Sequence, residues 1–293
     1  MPLDPQRVLK PLQKVHKALG HPSRHLTPEG VHKLRTQCYR VESMLRALSL
    51  DEDRDGAQLL EAIEPIRKRA GKVRDMDVLI GLAATLPKEI ACESFIQLVE
   101  DLGIRHDQYL GKLEKTLYRQ RGKARRELKR CTKAIGKELA ASKSDAAGQW
   151  RRNAVTHTLD LSSELAGWPM LRTDNLHPFR LKVKELRYVL QLSSDSDRNF
   201  IDALGEVKDA IGEWHDWSEL AAVAAEVLGN HSQDSFSKRV ASVVQGKLHH
   251  AFTVATHLRR RYFDMPLAKH HGRRTRHPRI KTPVLSTAAR LAA

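Results

Sequence analysis

The residues of this 293-residue chain best suited to chemistry are histidines and cations set three or four positions apart. In the first half His32, Arg35, Tyr39, Glu42 and Arg46 follow at such steps, and in the second half His177, Arg180, Lys184 and Arg187 do the same. On an α-helix this spacing puts each set on one face, with neighbours about 5–6 Å apart. Like charges held that close repel by a few tenths of a kcal/mol per pair, and a bound anion relieves the repulsion. Such faces therefore suit multivalent anion binding, in which Arg supplies paired N–H donors and Lys a point charge.

Further cations extend the pattern. Between Arg121 and Lys137 a third basic stretch sets Arg126, Arg130, Lys133 and Lys137 on one helical face, with Glu127 and Glu138 as the local acids. A charge run usually becomes a solvated surface, but a helix stabilised by ion pairs would interleave both signs, and this one does so sparingly. Arg67 and Lys208 stand 141 residues apart at matching places in the two halves. Pro178 directly follows His177, and proline is best tolerated in a first helical turn, so His177 is expected near a helix N-terminus, itself attractive to anions.

Acids are fewer, and the sequence points them to structure. Asp75, Asp77 and Asp216 lie in helical, partly apolar surroundings where a carboxylate needs a partner, so they are expected to hold an Arg or His in place. His16, His21 and His25 read as surface histidines rather than metal ligands. The chain contains no Walker A loop, no Gly-rich dinucleotide fingerprint, no His-Glu-x-x-His and no Gly-x-Ser-x-Gly. Binding without catalysis, cofactor or metal is the expectation.

The elements that must position these residues are helical. Val31, Leu34, Cys38, Val41, Leu45 and Leu48 recur at three- and four-residue steps, and no strand-like alternation appears. Thr27-Pro28-Glu29 reads as an N-cap, a first-turn proline and an acid at the positive helix end, opening a helix to about Ser49. Asp51 to Gly56 reads as a turn, residues 57–85 as a second helix with a potential kink at Pro65, and Leu86-Pro87 as its end. From Lys88 to about Leu139 the pattern runs too long for an ordinary helix, so a break is expected at Gly103, Gly111 or Gly122. Ala141 to Gln149 is the expected linker.

Two landmarks repeat in order. Val31-His32-Lys33-Leu34-Arg35 matches Leu176-His177-Pro178-Phe179-Arg180 at 145 residues' distance, and Gly71-Lys72-Val73-Arg74-Asp75 matches Gly212-Glu213-Trp214-His215-Asp216 at 141. This predicts two related helical halves rather than a long solenoid. The expected organisation is an N-terminal bundle over 1–145, a C-terminal bundle over 146–268, and a basic tail over 269–293.

Composition bounds the partners. The net charge of +16, from 51 Lys and Arg against 35 Asp and Glu, favours polyanions and says nothing about fold. No apolar stretch is long enough to span a membrane, and the N-terminus lacks the apolar core of a signal peptide, so a cytoplasmic protein is expected. Cys38, Cys92 and Cys131 are widely spaced within helical patterns and read as reduced thiols. Nucleic acid is the competing ligand. Few aromatics interleave with the basic stripes, however, and Trp214 and Trp217 read as core.

These landmarks resemble the CHAD family, the histidine-containing α-helical domain associated with polyphosphate. The resemblance rests on Val31 to Arg35 continuing to Arg40, on Arg74-Asp75-Met76-Asp77-Val78, on Leu176-His177 through Arg180, Lys184, Arg187 and Tyr188, and on Leu204 with Ile211-Gly212-Glu213 and Asp216. It spans about residues 16–265. It implies an all-α fold of two helical bundles in tandem, related by a pseudo-twofold axis around a basic pore or groove that binds inorganic polyphosphate. His32, Arg35, Arg40, His177, Arg180, Lys184 and Arg187 match the family's basic positions. Tyr39 and Glu42 depart from it where further cations are usual, and His215 beside Asp216 replaces a smaller or polar residue. Family members fused to triphosphate-processing domains carry a Glu-x-Glu-x-Lys motif that is absent here. The resemblance thus implies a stand-alone binding or granule-targeting module.

Overall fold

A computed structural model describes residues 2–20, 26–86, 93–141, 144–229 and 235–263. The predicted tail over 269–293, Cys92, His21 and His25 lie outside the described residues. Among those described, the chain forms eight α-helices and no strand beyond an isolated bridge between Leu3 and Ser193. They are α1 (Pro5–Ala18), α2 (Pro28–Ala47), α3 (Arg54–Ala83), α4 (Glu93–Ala140), α5 (Asp145–Ala166), α6 (Thr173–Leu190), α7 (Arg198–Leu228) and α8 (Ser235–Tyr262).

Local chemistry sets most of the helix starts. Thr27 caps α2, its hydroxyl accepting from the Gly30 N–H at 3.2 Å, as the sequence predicts. Asp4, Ser144 and Asp197 cap α1, α5 and α7 in the same way. The α2–α3 turn is tight: Ser49 adopts φ 56°, and a Cβ at Gly56 would sit 1.7 Å from the Leu50 carbonyl oxygen. Only glycine permits that approach.

Four expectations are corrected. First, α3 begins at Arg54 rather than residue 57 and runs on through Pro65. Second, α4 is a single helix of 48 residues with no break at Gly103, Gly111 or Gly122. Each helical glycine costs about 1 kcal/mol relative to alanine. Burial of Leu98, Leu102, Leu113, Leu117, Leu128 and Ile135 offsets that cost, because α4 packs on α3, α1 and α7. Third, the expected linker contributes its second half to α5, which starts at Asp145 under the Ser144 cap. Pro178 is also deeper than expected: it is the sixth residue of α6, whose N-terminus is steadied by the Asn175 side chain accepting from the Arg172 N–H at 2.8 Å.

Each half packs its helices in sequence: α1 on α2, α2 on α3 and α3 on α4, then α5 on α6, α6 on α7 and α7 on α8. The halves meet where α2 packs on α5 and α6, and where α7 packs on α3 and α4. The main core draws on both, from Leu12, Val31 and Leu59 to Phe179, Leu204 and Trp214. A second cluster, containing Met76, Leu79, Leu98, Trp217, Leu220 and Phe236, joins the C-terminal ends of α3 and α7 to the N-terminal ends of α4 and α8. The candidate site opens beside this second cluster, on polar faces of α2, α3, α6 and α7.

Candidate functional site

The main core fixes which way the two basic stripes point. Val31, Leu34, Cys38 and Val41 are buried on α2, as are Leu176, Phe179, Val183 and Leu186 on α6, so the intervening positions turn toward a shared cavity of about 590 Å³. His32 and Arg35 of α2, His177 and Arg180 of α6, and Lys208 of α7 all line it. Residues 145 positions apart in sequence thereby face one basin.

The arginines are seated on glycines. Arg180 lies across α7 at Gly212, its Nε donating to the Lys208 carbonyl oxygen at 2.9 Å. Two turns earlier on α7, Arg187 lies at Gly205, its Nε donating to the Ile201 carbonyl oxygen at 3.2 Å. Arg35 approaches Gly71 of α3 and stands 3.8 Å from Asp75. In each case the missing side chain lets a guanidinium lie against helix backbone. Loss of hydration in this confined space pushes the carboxyls of Asp75 and Asp216 up, against the pull of Arg35 and Arg180 respectively.

Tyr39, which as a sequence feature weakens the first stripe, is the hub of the cluster. Lys184 Nζ stands 3.8 Å from its ring centroid, with the guanidinium carbons of Arg67 and Arg35 at 4.6 and 5.4 Å. Each such contact contributes about 0.5–2 kcal/mol. Glu42, the other departure, binds Arg67 at 3.2 Å and Arg46 at 2.8 Å. These partners leave Lys184 undercompensated: burial first, and then Arg180 and Arg35, lower its ammonium to about 7. At neutral pH it is poised to gain a proton when an anion arrives.

Three histidines face the basin. The rings of His177 and His215 lie with centroids 4.5 Å apart, tilted by 52°, which gives His215 a partner. The His177 Nδ1 is buried without a hydrogen-bond partner. Burial, followed by His215, Arg180 and Lys184, lowers its pKa; burial, followed by Arg74, Arg35 and Lys208, lowers that of His32. The third carboxylate singled out by sequence, Asp77, pairs with His106 of α4 at 3.3 Å and so ties α3 to α4.

The remaining predicted residues lie elsewhere. Arg40, the residue after Tyr39 and so turned to another side of α2, lines a separate cavity of about 370 Å³ with Arg7, Lys10 and Lys14 of α1 and with Tyr188, whose ring centroid is 5.5 Å from its guanidinium. Arg126, Arg130, Lys133 and Lys137 are exposed on the C-terminal half of α4 and do not line the basin. Arg130 is engaged by Glu127 at 3.1 Å and Gln58 at 3.0 Å, and Lys137 borders an apolar hollow with Leu45, Leu50 and Trp150. Sequence reasoning passed over Lys72 and Arg74, which line the basin, although both sit inside the Gly71-to-Asp75 landmark. It also passed over Arg7, Lys10 and Lys14 of α1, although these stand at three- and four-residue steps and so form a stripe of their own. Among the described residues no three His, Cys, Asp or Glu side chains are placed to hold a metal ion, and no helix is long and apolar enough to cross a membrane.

Comparison with known proteins bears on the family and the fold. A family model for the CHAD domain matches residues 7–228. Two solved structures share the fold. The CHAD domain from the plant Ricinus communis is 19% identical, with a TM-score of 0.58 over 89% of this chain and 87% of that one. PptA from Streptomyces chartreusis is 16% identical, with a TM-score of 0.54 over 89% of this chain and 98% of its own. No match is found among curated proteins.

Proposed function

The chain belongs to the CHAD domain family, and from that premise we propose that it binds inorganic polyphosphate, without catalysis, along the facing surfaces of α2 and α6. One observation carries the reading: cations from both halves, Arg35 and Arg67 from one and Arg180 and Lys184 from the other, converge on a single basin and its Tyr39 hub, with Glu42, Asp75 and Asp216 as the near acids and Asp209, Glu213 and Glu219 on the α7 side. A linear anion satisfies all of them at once; a compact one satisfies a few. From His177 to Gln191 the α6 stripe rises about 21 Å, at 1.5 Å per residue, and links the basin to the Arg40 cavity. Such a track suits a chain ligand.

The same hub disfavours nucleic acid. Its aromatic ring is covered by cations rather than open for a base to stack on. The arrangement would make the protein a cytoplasmic adaptor to polyphosphate granules.

The test is binding of labelled long-chain polyphosphate at several salt concentrations, competed with RNA and DNA of equal total phosphate. Preference for polyphosphate, with affinity falling steeply as salt rises, is expected. Arg180→Ala combined with Lys184→Ala should weaken binding without unfolding the protein. Equal competition by nucleic acid, or unchanged affinity of that variant, overturns the proposal.

A further inference from the structure

The rim of the basin is electrically lopsided. On the α3 side it carries Lys72 and Arg74; on the α7 side it carries Asp209, Glu213 and Glu219. The difference is written in the repeat itself. At the 141-residue offset that aligns Asp75 with Asp216, Lys68 falls on Asp209, Arg69 on Ala210 and Lys72 on Glu213. At Lys68 and Lys72 one half thus presents cations where the other presents acids, and at Arg69 a cation where the other has an apolar residue.

The basic rim leads somewhere. Lys72 also borders a second hollow, of about 610 Å³, between α3 and α4, where Lys68 and Arg69 face Arg119 and Gln120. Its one lining acid, Glu64, pairs with Lys68 at 2.9 Å and approaches Arg67 at 3.9 Å. Arg69 and Arg119 are exposed. On the opposite rim the acids hold Lys208 and Lys247, and an anion meets negative charge there first.

We propose that the α3–α4 groove, through Lys68, Arg69, Lys72 and Arg119, is a second site for linear phosphate chains, which leave the basin over Lys72 and not over the α7 rim. The inference rests on the polyphosphate reading of the basin and adds to it a direction and a length dependence. A chain of a few phosphates is held in the basin alone. A long chain fills both sites as one ligand, and the second engagement is intramolecular, so it adds affinity without a new binding event.

The experiment compares tripolyphosphate with long-chain polyphosphate on the full protein and on the double variant Arg69→Gln, Arg119→Gln, both at exposed positions that leave the core intact. For the long chain the variant should bind about tenfold more weakly. Its slope of log affinity against log salt should be shallower by about 1.4, two contacts at roughly 0.7 each by analogy with single-stranded nucleic acid. Tripolyphosphate affinity should be unchanged. Equal affinities of variant and parent for the long chain, or equal losses for both lengths, would overturn the groove and leave the basin standing. If the parent bound neither ligand, the proposed function and the groove would fall together.

Discussion

The seat of Arg180 can be tested by adding one methyl group. An alanine at Gly212 would place its Cβ 2.7 Å from Arg180 Nη2, 3.1 Å from Nε and 3.2 Å from Cζ, closer than real side chains tolerate. The helix backbone cannot move, so the guanidinium must, and its 2.9 Å bond to the Lys208 carbonyl goes with it. A hydrogen bond from a charged donor contributes about 1.5–3 kcal/mol. Gly→Ala in a helix returns about 0.5–1 kcal/mol. Gly212→Ala should therefore destabilise the fold by only about 1–2 kcal/mol. Losing Arg180 as a placed phosphate donor removes a similar charge-assisted contact, and at 1.4 kcal/mol per decade the affinity for polyphosphate should fall roughly 10- to 100-fold. Two sites calibrate the result. At Gly71 the new Cβ would meet Arg35 Nε at 3.4 Å, an ordinary contact, and at Gly81 it would meet nothing within 4 Å. Fluorescence anisotropy with labelled polyphosphate, beside thermal melts, should rank the losses in affinity Gly212→Ala, Gly71→Ala, Gly81→Ala. Adding Arg180→Ala to Gly212→Ala should cost no more than Arg180→Ala alone. If Gly212→Ala binds as tightly as Gly81→Ala, Arg180 is not a ligand positioned by α7, and the reasoning from the glycine seats fails.

Other measurements probe other parts of the structure. Lys184 is lowered from 10.5 to about 7 in the free fold, so between those values the unfolded chain holds the extra proton and stability should rise with pH, by at most about 1.36 kcal/mol per unit; Lys184→Met should flatten that slope in pH-dependent denaturant titrations. Polyphosphate binding at pH 8 should be accompanied by net proton uptake at Lys184, read as a calorimetric enthalpy that differs between Tris and HEPES buffers, and a buffer-independent enthalpy would contradict the assignment. Burial pushes the Cys38 thiol up to about 12 and the Cys131 thiol up to about 11, so mass mapping after iodoacetamide treatment at pH 8 should find both unlabelled until the protein is unfolded. Gly56→Ala should lower the melting temperature sharply, because its Cβ would overlap the Leu50 carbonyl; an unchanged melt would mean that the α2–α3 turn is built differently.

Much of this protein is determined by short-range pattern. The apolar three- and four-residue steps, the Thr27 cap and the repeated His and Asp landmarks specify helices, their order and two basic faces, since each depends on neighbours within about one turn. Residues whose roles depend on distant partners were not legible. The α4 glycines look like breaks until α3, α1 and α7 bury one side of the helix. Arg126, Arg130, Lys133 and Lys137 form as good a stripe as Arg180, Lys184 and Arg187, yet the packing of α4 turns them to solvent while α6 turns its own inward. Tyr39 breaks the cationic pattern in sequence but becomes its centre in space, because Lys184 reaches it from a helix 145 positions further along the chain. A helix face is set by local spacing; what it faces is set by long-range packing, and Coulomb and cation–π energies depend on that final distance.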